Sequence, residues 1–175
     1  MEATKLLSRQ HRKVEALLRK LSGKHPDAGT LLPELANQLA AHMAIEQDVF
    51  YPAVNAIKPD LVLEAYEEHS LAEFALKRLL ATDVDDDAFH ARVIALKELI
   101  EHHVKEEEEE LFPKVEKALG EEHLRELGRH MRVQFDEVVS DGFEATVPKG
   151  FGKTSADVSK KELRASQHKA KARAA

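Results

Sequence analysis

The 175-residue chain contains no cysteine. This absence excludes disulfide bonds, thiolate metal sites, iron–sulfur clusters and cysteine nucleophiles, and it fits the reducing conditions of the cytoplasm. Tryptophan is also absent and only two tyrosines occur, which disfavours the base-stacking surface of a nucleic-acid-binding protein. With seven glycines, six prolines and 33% charged residues, the composition favours helices over β-sheet.

Long apolar segments are missing as well. No run of roughly 20 apolar residues is available to cross a membrane. The first residues, MEATKLLSRQHRK, carry charges throughout and lack the apolar centre of a secretory signal. We therefore expect a cytoplasmic protein without a membrane segment. Histidine, in contrast, occurs ten times, so any metal chemistry must use histidine, aspartate and glutamate ligands.

The net charge of −6 conceals an asymmetry along the chain. Residues 145–175 contain eight Lys or Arg and two acidic residues, a net charge of +6, so residues 1–144 carry −12. Because this tail is poor in large apolar residues, we expect a flexible, disordered basic segment with one short helix starting at Ser159. A solubilising role for the tail is favoured over docking onto an acidic partner or nucleic acid.

Residues 1–144 show the helical spacing of apolar residues almost throughout. This periodicity predicts five helices, over about residues 3–21, 31–57, 61–80, 88–119 and 121–140. Because short connections make sequential helices antiparallel, we expect an all-α, up-down-up-down four-helix bundle with the fifth helix packed across it. The bundle and the fifth helix would form one domain over residues 1–144, and the oligomeric state is left open.

Polar residues interrupt the apolar stripes at positions that repeat. Each half of the bundle offers one histidine and, on its next helix, a histidine followed four residues later by a glutamate. The six residues are His11, His42, Glu46, His69, His103 and Glu107. A proline follows His42 by ten residues, and another follows His103 by ten. The chain is therefore interpreted as two copies of one helical hairpin.

The spacing of each His–Glu pair places both side chains on the apolar, inward face of a helix, because residues four apart lie above one another. Burying two facing carboxylates without partners would cost several kcal/mol per ion, of the order found for buried charges. A pair of divalent cations removes this cost, since a carboxylate can bridge two ions about 3.5–4 Å apart. Imidazole and carboxylate without thiolate suit iron or manganese, with zinc as a further option.

Two alternatives accompany this hypothesis. His102 competes with His103, because Glu106 follows it with the same four-residue spacing, but the alignment of the two halves favours His103. A bundle without metal, in which these histidines are ordinary core residues, is the second alternative. The other histidines lack the pattern and are interpreted as surface or boundary residues: His25, His90, His123, His130 and His168.

These motifs resemble those of the hemerythrin-like, or HHE cation-binding, family. The resemblance covers roughly residues 4–140. It implies a four-helix bundle around a non-haem site for two iron ions joined by an oxo or hydroxo bridge. His42 and His103 would be terminal ligands, and Glu46 and Glu107 would bridge the ions. The remaining ligands, from the first and third helices, would be His11 and His69.

One position departs from the oxygen-carrying members, which have a second histidine one turn after the third-helix histidine. Here that position holds Glu73, a candidate seventh ligand or an acid bonded to a metal-binding histidine. A carboxylate there would favour higher iron oxidation states and weaken reversible O2 binding, so the resemblance points away from a simple oxygen carrier. Tyr66, one turn before His69, is interpreted as an ordinary aromatic of the bundle.

We therefore expect a di-iron protein that binds O2, peroxide or nitric oxide, or that senses iron or redox state. Manganese and zinc are less favoured as the metal. The alternatives are a catalase- or peroxidase-like enzyme, motivated by Glu73, and an iron-storage module. Ferritin-like bundles use Glu-x-x-His in place of His-x-x-x-Glu, and a zinc hydrolase uses only three protein ligands. The hemerythrin-like arrangement fits the spacing better than either.

Overall fold

The computed structural model describes residues 1–23 and 27–161. These residues form helices joined by turns, with no strand among them, which confirms the prediction of an all-α protein. The helices are α1 (Ala3–Leu21), α2 (Ala28–Ile45), α3 (Tyr51–Val54), α4 (Pro59–Leu80), α5 (Asp87–Glu106), α6 (Phe112–Asp141) and α7 (Phe143–Thr146). Within this part of the chain, no helix combines the length and the apolar character that crossing a bilayer demands.

Helices α1, α2, α4 and α5, here called the four long helices, pack in antiparallel pairs, and α6 lies outside this set. His42 in α2 contacts Gln10 in α1, whereas Glu34, earlier in α2, pairs with Lys13, later in α1. Helices α4 and α5 pair in the same antiparallel way. Because α1 also packs against α5, and α2 against α4, the four long helices surround a common interior.

A polar layer divides this interior into two apolar clusters. One cluster contains Leu18 and Leu39, and the other contains Phe50 and Tyr66, all at most 1% exposed. On each of the four long helices, the change from one cluster to the other falls at the histidine or His–Glu pair found in the sequence repeat. The fold therefore places the six repeated polar side chains in the middle of the core.

Two π-helical turns of five residues, Glu46–Phe50 and Glu107–Leu111, join α2 to α3 and α5 to α6. Each turn lies just before one of the repeated prolines, Pro52 and Pro113. Proline cannot donate the backbone bond to the residue four positions back, and its ring clashes with that carbonyl, so a widened turn is a local solution. The sequence periodicity predicted uninterrupted helices here. It did not reveal the π-helical turns, because such a turn adds one residue without ending the helix.

Helix α6 changes direction at Gly120, whose φ of 72° lies in the left-handed region that favours glycine. Beyond this kink, α6 packs against α1 and α2. Gly128 lies where the N-terminal residues cross α6, and a Cβ atom there would lie 2.4 Å from the carbonyl oxygen of Met1. Glycine at position 128 therefore allows the close approach of the N-terminus to the helix.

Residues 147–161, here called the strap, return across the bundle after α7. Ser155 donates its backbone N–H and its hydroxyl to Oε2 of Glu73, at 2.8 and 2.6 Å. The ammonium of Lys77 lies 2.6 Å from the other oxygen of Glu73. Ala156 is fully buried in the core cluster that contains Phe50. The buried carboxylate of Glu73 thus anchors the strap to α4.

This packing differs from the disorder expected for residues 145–175. The strap has few large apolar residues, but its polar groups bond to the bundle, and composition alone does not reveal such contacts. Its helical residues, 155–161, begin after Thr154, which forms a reciprocal capping box with Asp157, and not at Ser159. The rest of the expected tail, residues 162–175, lies outside the described residues.

Replacing Ser155 with Ala is expected to loosen the strap, because a hydrogen bond to a charged group contributes about 1.5–3 kcal/mol. Trypsin should then cleave faster after Lys160, whose side chain is 13% exposed and pairs with Glu67. The cleavage rate can be followed by mass spectrometry. Ser140→Ala, at an exposed position of α6, is the control. Equal cleavage rates in both variants would contradict anchoring through Glu73.

Candidate metal centre

Six polar side chains from the four long helices and the two π-helical turns meet in the middle of the core. They are His11, His42, Glu46, His69, His103 and Glu107. None is more than 3% exposed. Histidine and glutamate are seldom buried to this degree without a bonding partner, so the contacts of each side chain decide what the cluster can do.

The histidines form two pairs on either side of Glu46. His11 and His42 share one group with Glu46, and His69 and His103 share the other, with the possible ligand atoms of each group within 4.8 Å of one another. Oε2 of Glu46 lies 3.2 Å from His42 Nε2 and 3.3 Å from His69 Nε2. The Nε2 atoms of His69 and His103 are 3.1 Å apart. Glu46 therefore lies where a carboxylate can bridge two cations.

Glu107 also contacts both histidine pairs. Its Oε2 atom lies 3.3 Å from His11 Nε2 and 3.7 Å from His103 Nε2. Its Oε1 atom accepts a hydrogen bond of 2.9 Å from the hydroxyl of Tyr51. The two glutamates of the repeat are thus both placed between the two pairs of imidazoles.

Tyr51 is a residue of the site that the sequence analysis missed. It is fully buried, and its hydroxyl lies 3.2 Å from His69 Nε2 as well as bonding to Glu107. Phe112 holds the corresponding position in the second half and stacks on the ring of His11, with centroids 5.9 Å apart. The available signal was the aromatic residue directly before each repeated proline. The π-helical turns bring both rings to the cluster.

Several buried atoms at the centre have no hydrogen-bond partner. They are Nε2 of His11, Nε2 of His42, both carboxylate oxygens of Glu46 and Oε2 of Glu107. Each unpaired buried polar group costs about 1–3 kcal/mol, and more when it is charged. Because all five are electron-pair donors when deprotonated, divalent cations would satisfy them together. The side chains present therefore fit a metal centre.

The second nitrogen of each histidine is held by a neighbouring side chain. The contacts of the Nδ1 atoms are His11–Glu108 (2.8 Å), His103–Glu68 (2.7 Å), His42–Gln10 (3.1 Å) and His69–Gln47 (2.9 Å). These contacts leave the Nε2 atoms facing the cluster, as is typical of histidine metal ligands. Each histidine pair contains one ring held by a carboxylate and one held by an amide, so the two pairs are chemically matched.

Burial and neighbouring charges together determine which groups of the cluster are protonated. Burial lowers the pKa of His42 and His69 well below the ordinary value, and neighbouring histidines add to this effect. Both rings are therefore neutral at neutral pH, which is the form that binds metals. Burial and the charge of Glu107 raise the pKa of Glu46 well above its ordinary range. For Glu107 burial acts in the same direction, but the charges of His103 and of His11, whose Nε2 atom lies 3.3 Å from Oε2 of Glu107, outweigh it and hold the pKa at about 2.

Two residues that the sequence pointed to, Glu73 and His102, lie outside the buried cluster. Glu73 is fully buried but belongs to neither group, because Ser155 and Lys77 contact its two oxygens. Its contacts therefore give no support to its prediction as a seventh ligand or as an acid bonded to a metal-binding histidine. His102 lies on the outer side of α5 with its side chain 63% exposed, and the structure places His103 in the cluster.

Tyr66 donates its hydroxyl to the backbone carbonyl of Gln47 at 2.8 Å, as a structural aromatic would. The histidines of α5 and α6 that were interpreted as surface or boundary residues are exposed: His90, His123 and His130. His25 and His168 lie outside the described residues.

The all-helical fold and its buried histidine–carboxylate cluster together define a metal-binding helical domain. The sequence profile of the hemerythrin HHE cation binding domain matches residues 2–115. The chain therefore belongs to the hemerythrin HHE cation-binding family, as the sequence resemblance indicated.

Mycobacterial proteins are similar to this chain over most of its length. An uncharacterized protein of Mycobacterium tuberculosis (strain H37Rv) is 27% identical over 144 residues, which span 79% of this chain and 88% of that protein. An uncharacterized protein of Mycobacterium bovis gives the same values. The crystal structure of a hemerythrin HHE cation binding domain-containing protein from Mycobacterium kansasii matches with a TM-score of 0.74 at 26% identity, covering 91% of this chain and 99% of that chain.

Replacing Glu108 with Ala is expected to weaken metal binding about tenfold or more, the usual effect of removing a side chain that orients a histidine ligand. Glu108 holds Nδ1 of His11, so its loss frees the ring to rotate. Cobalt(II) titration followed by absorption measures the affinity. The matched control is Glu109→Ala, because Glu109 is the exposed next residue. Equal affinities of the two variants would show that His11 needs no such support.

Proposed function

We propose that the cluster binds two iron ions, which the two histidine pairs would hold together with the carboxylates of Glu46 and Glu107 that lie between them. The observation that carries this proposal is the convergence of five buried donor atoms without a hydrogen bond, in a cluster built from two matched pairs of imidazoles and two carboxylates. Nitrogen and oxygen donors without thiolate suit iron, with manganese and zinc as less favoured occupants.

The proposed activity is the binding of O2, peroxide or nitric oxide, or the sensing of iron or redox state. Bound iron would supply the redox chemistry and the open coordination positions that such ligands need. A cavity of about 10 Å³ lies beside the histidines and is lined also by Leu39, Ile100 and Val104, so it has space for no more than one water-sized molecule. A single water molecule needs about 10–15 Å³ of such space.

The protein's own residues orient and protect this centre. Tyr51 keeps its proton because burial, together with the charges of Glu107 and Glu46, raises its pKa well above the ordinary value. Its hydroxyl therefore acts as a fixed hydrogen-bond donor to Glu107. The two apolar clusters on either side exclude bulk water from the imidazoles.

We further propose that α1, α2, α4 and α5 act as an up-down-up-down four-helix frame for the centre, in a cytoplasmic protein. The antiparallel contacts support the four-helix frame, and the absence of cysteine supports the cytoplasmic location.

The catalase- or peroxidase-like alternative was motivated by a carboxylate from Glu73 at the metals. Because Glu73 is engaged by the strap, that argument no longer favours an enzyme over a binding or sensing protein.

Substituting the two histidines His42 and His103 with Ala is expected to abolish most iron binding, since each change removes one ligand from a different pair. The wild type, loaded with ferrous iron without air, should contain close to two iron atoms per chain. Elemental analysis gives the count, and air oxidation should produce a near-ultraviolet ferric absorption band. The double variant His90→Ala/His123→Ala, at exposed positions, is the control. Wild-type iron content in the His42→Ala/His103→Ala variant would refute the proposal.

Metal loading is expected to raise the thermal unfolding midpoint. The metal-free cluster leaves buried atoms unpaired, and ions that bind only the folded state stabilise it by mass action. At free metal a hundredfold above the dissociation constant, the gain is about 2.7 kcal/mol. Circular dichroism with chelator and with metal measures the shift. An unchanged midpoint in the wild type, or an equal shift in His42→Ala/His103→Ala, would contradict metal binding at this cluster.

A further inference from the structure

A second histidine–carboxylate group lies on the outer surface between α4 and α5. His102 and Glu106 are one turn apart on α5, and Glu68 faces them from α4. Nε2 of His102 lies 3.5 Å from Oε1 of Glu68 and 3.4 Å from Oε1 of Glu106. All three ligand atoms lie within 4.8 Å of one another. The group is open to solvent, with His102 63% and Glu106 27% exposed.

These distances match those between ligands of one metal ion. Two atoms bound tetrahedrally at 2.0–2.2 Å from an ion, as in zinc sites, are about 3.4 Å apart. One nitrogen and two carboxylate oxygens are donors that suit zinc, manganese or ferrous iron. The two distances from His102 are therefore of the size found between ligands of one cation, and the third pair of atoms lies within 4.8 Å.

The charge around the group also attracts cations. Glu106 experiences the negative charges of Glu64 and Glu110 in addition to that of Glu68. Four carboxylates thus act around a single imidazole. Such a concentration of one sign of charge raises the local concentration of cations at the surface.

Glu68 connects this surface group to the buried cluster. Its Oε2 atom bonds to Nδ1 of His103 at 2.7 Å, whereas its Oε1 atom faces His102. One carboxylate therefore orients a ligand of the buried cluster with one oxygen and offers the other oxygen to the surface. Any ion on that surface oxygen must act on the hydrogen bond that supports His103.

The first half of the sequence repeat lacks this surface group. Gln10 corresponds there to Glu68, since each directly precedes the first histidine of its half. Ala41 and Ile45 correspond to His102 and Glu106, and both are fully buried. The surface group is therefore not a consequence of the repeat, because the first-half positions that correspond to His102 and Glu106 hold buried apolar residues.

We propose that Glu68, His102 and Glu106 form a surface binding site for a divalent cation, coupled through Glu68 to the buried cluster. A cation on Oε1 of Glu68 withdraws electron density from the carboxylate and weakens its bond to His103. The charges of ions in the two sites also repel one another. Each site therefore lowers the affinity of the other, because coupling between two binding sites is reciprocal.

Such a site binds an ion from solvent most tightly while the buried cluster is empty and holds it several-fold more weakly once the cluster is filled. This is the behaviour of a loading position for the buried centre. The coupling rests on the proposed function of the cluster, whereas the surface site itself does not.

Zinc(II) stoichiometry in the metal-free full-length chain tests the site, by equilibrium dialysis and elemental analysis. His102→Ala/Glu106→Gln should bind one ion fewer than the wild type. The control Glu101→Gln, which removes an exposed carboxylate paired with Lys97 on the same helix, should bind as the wild type does. Equal zinc content in the wild type and His102→Ala/Glu106→Gln would overturn the proposal.

The variant His42→Ala/His103→Ala separates the surface site from the buried centre. It should retain the surface ion, and it should bind that ion several-fold more tightly because Glu68 is released from His103. If this variant keeps all its zinc while His102→Ala/Glu106→Gln loses one ion, the buried centre fails and the surface site stands. Loss of every ion from His42→Ala/His103→Ala, with circular dichroism unchanged, would overturn a separate surface site.

The coupling is tested by measuring zinc(II) affinity at the surface site with the buried cluster empty and with it filled by iron. A several-fold weaker affinity is expected in the filled protein. In Glu68→Gln, which lacks the shared carboxylate, this difference should shrink. Equal surface affinity in the empty and filled wild type would overturn the coupling.

Discussion

Two carboxylates buried at the middle of an apolar core are the constraint on which the rest of this structure depends. A buried ion without a partner costs several kcal/mol, and Glu46 and Glu107 are both almost completely removed from water. Their polar contacts are imidazoles and one phenol, which come from all four long helices and from the start of α3. The helices therefore enclose a polar layer, and the apolar core is built as two separate clusters around it.

The two halves of the repeat also support each other across the layer. Glu108 of the second half holds His11 of the first, and Gln47 of the first half holds His69 of the second. Separation of the two hairpins would therefore release one imidazole on each side. Folding of the bundle and assembly of the cluster are in this way one event, as is common where metal ligands come from distant parts of a chain.

The sequence predicted the helical class and the polar layer well, because both depend on the phase of residues within regular helices. The spacing of His42 and Glu46, repeated at His103, was sufficient to indicate an inward cluster. Tyr51 was not predicted, since it reaches the cluster through a π-helical turn that adds a residue and shifts the phase. The phase of Glu73 correctly indicated burial, but its partner Ser155 lies 82 residues later in a segment whose composition indicates disorder.

The unequal aromatic residues of the repeat give the centre a direction. Tyr51 lies beside the pair that contains His69, and Phe112 lies beside the pair that contains His11. At this position the two halves of the repeat differ by one hydroxyl group, which Tyr51 has and Phe112 lacks. The polar layer therefore has a hydrogen-bond donor, the phenol of Tyr51, on the side of His69 and a hydrocarbon ring on the side of His11. The two sides of the layer are thus chemically distinct, although the imidazoles and carboxylates between them are arranged almost symmetrically.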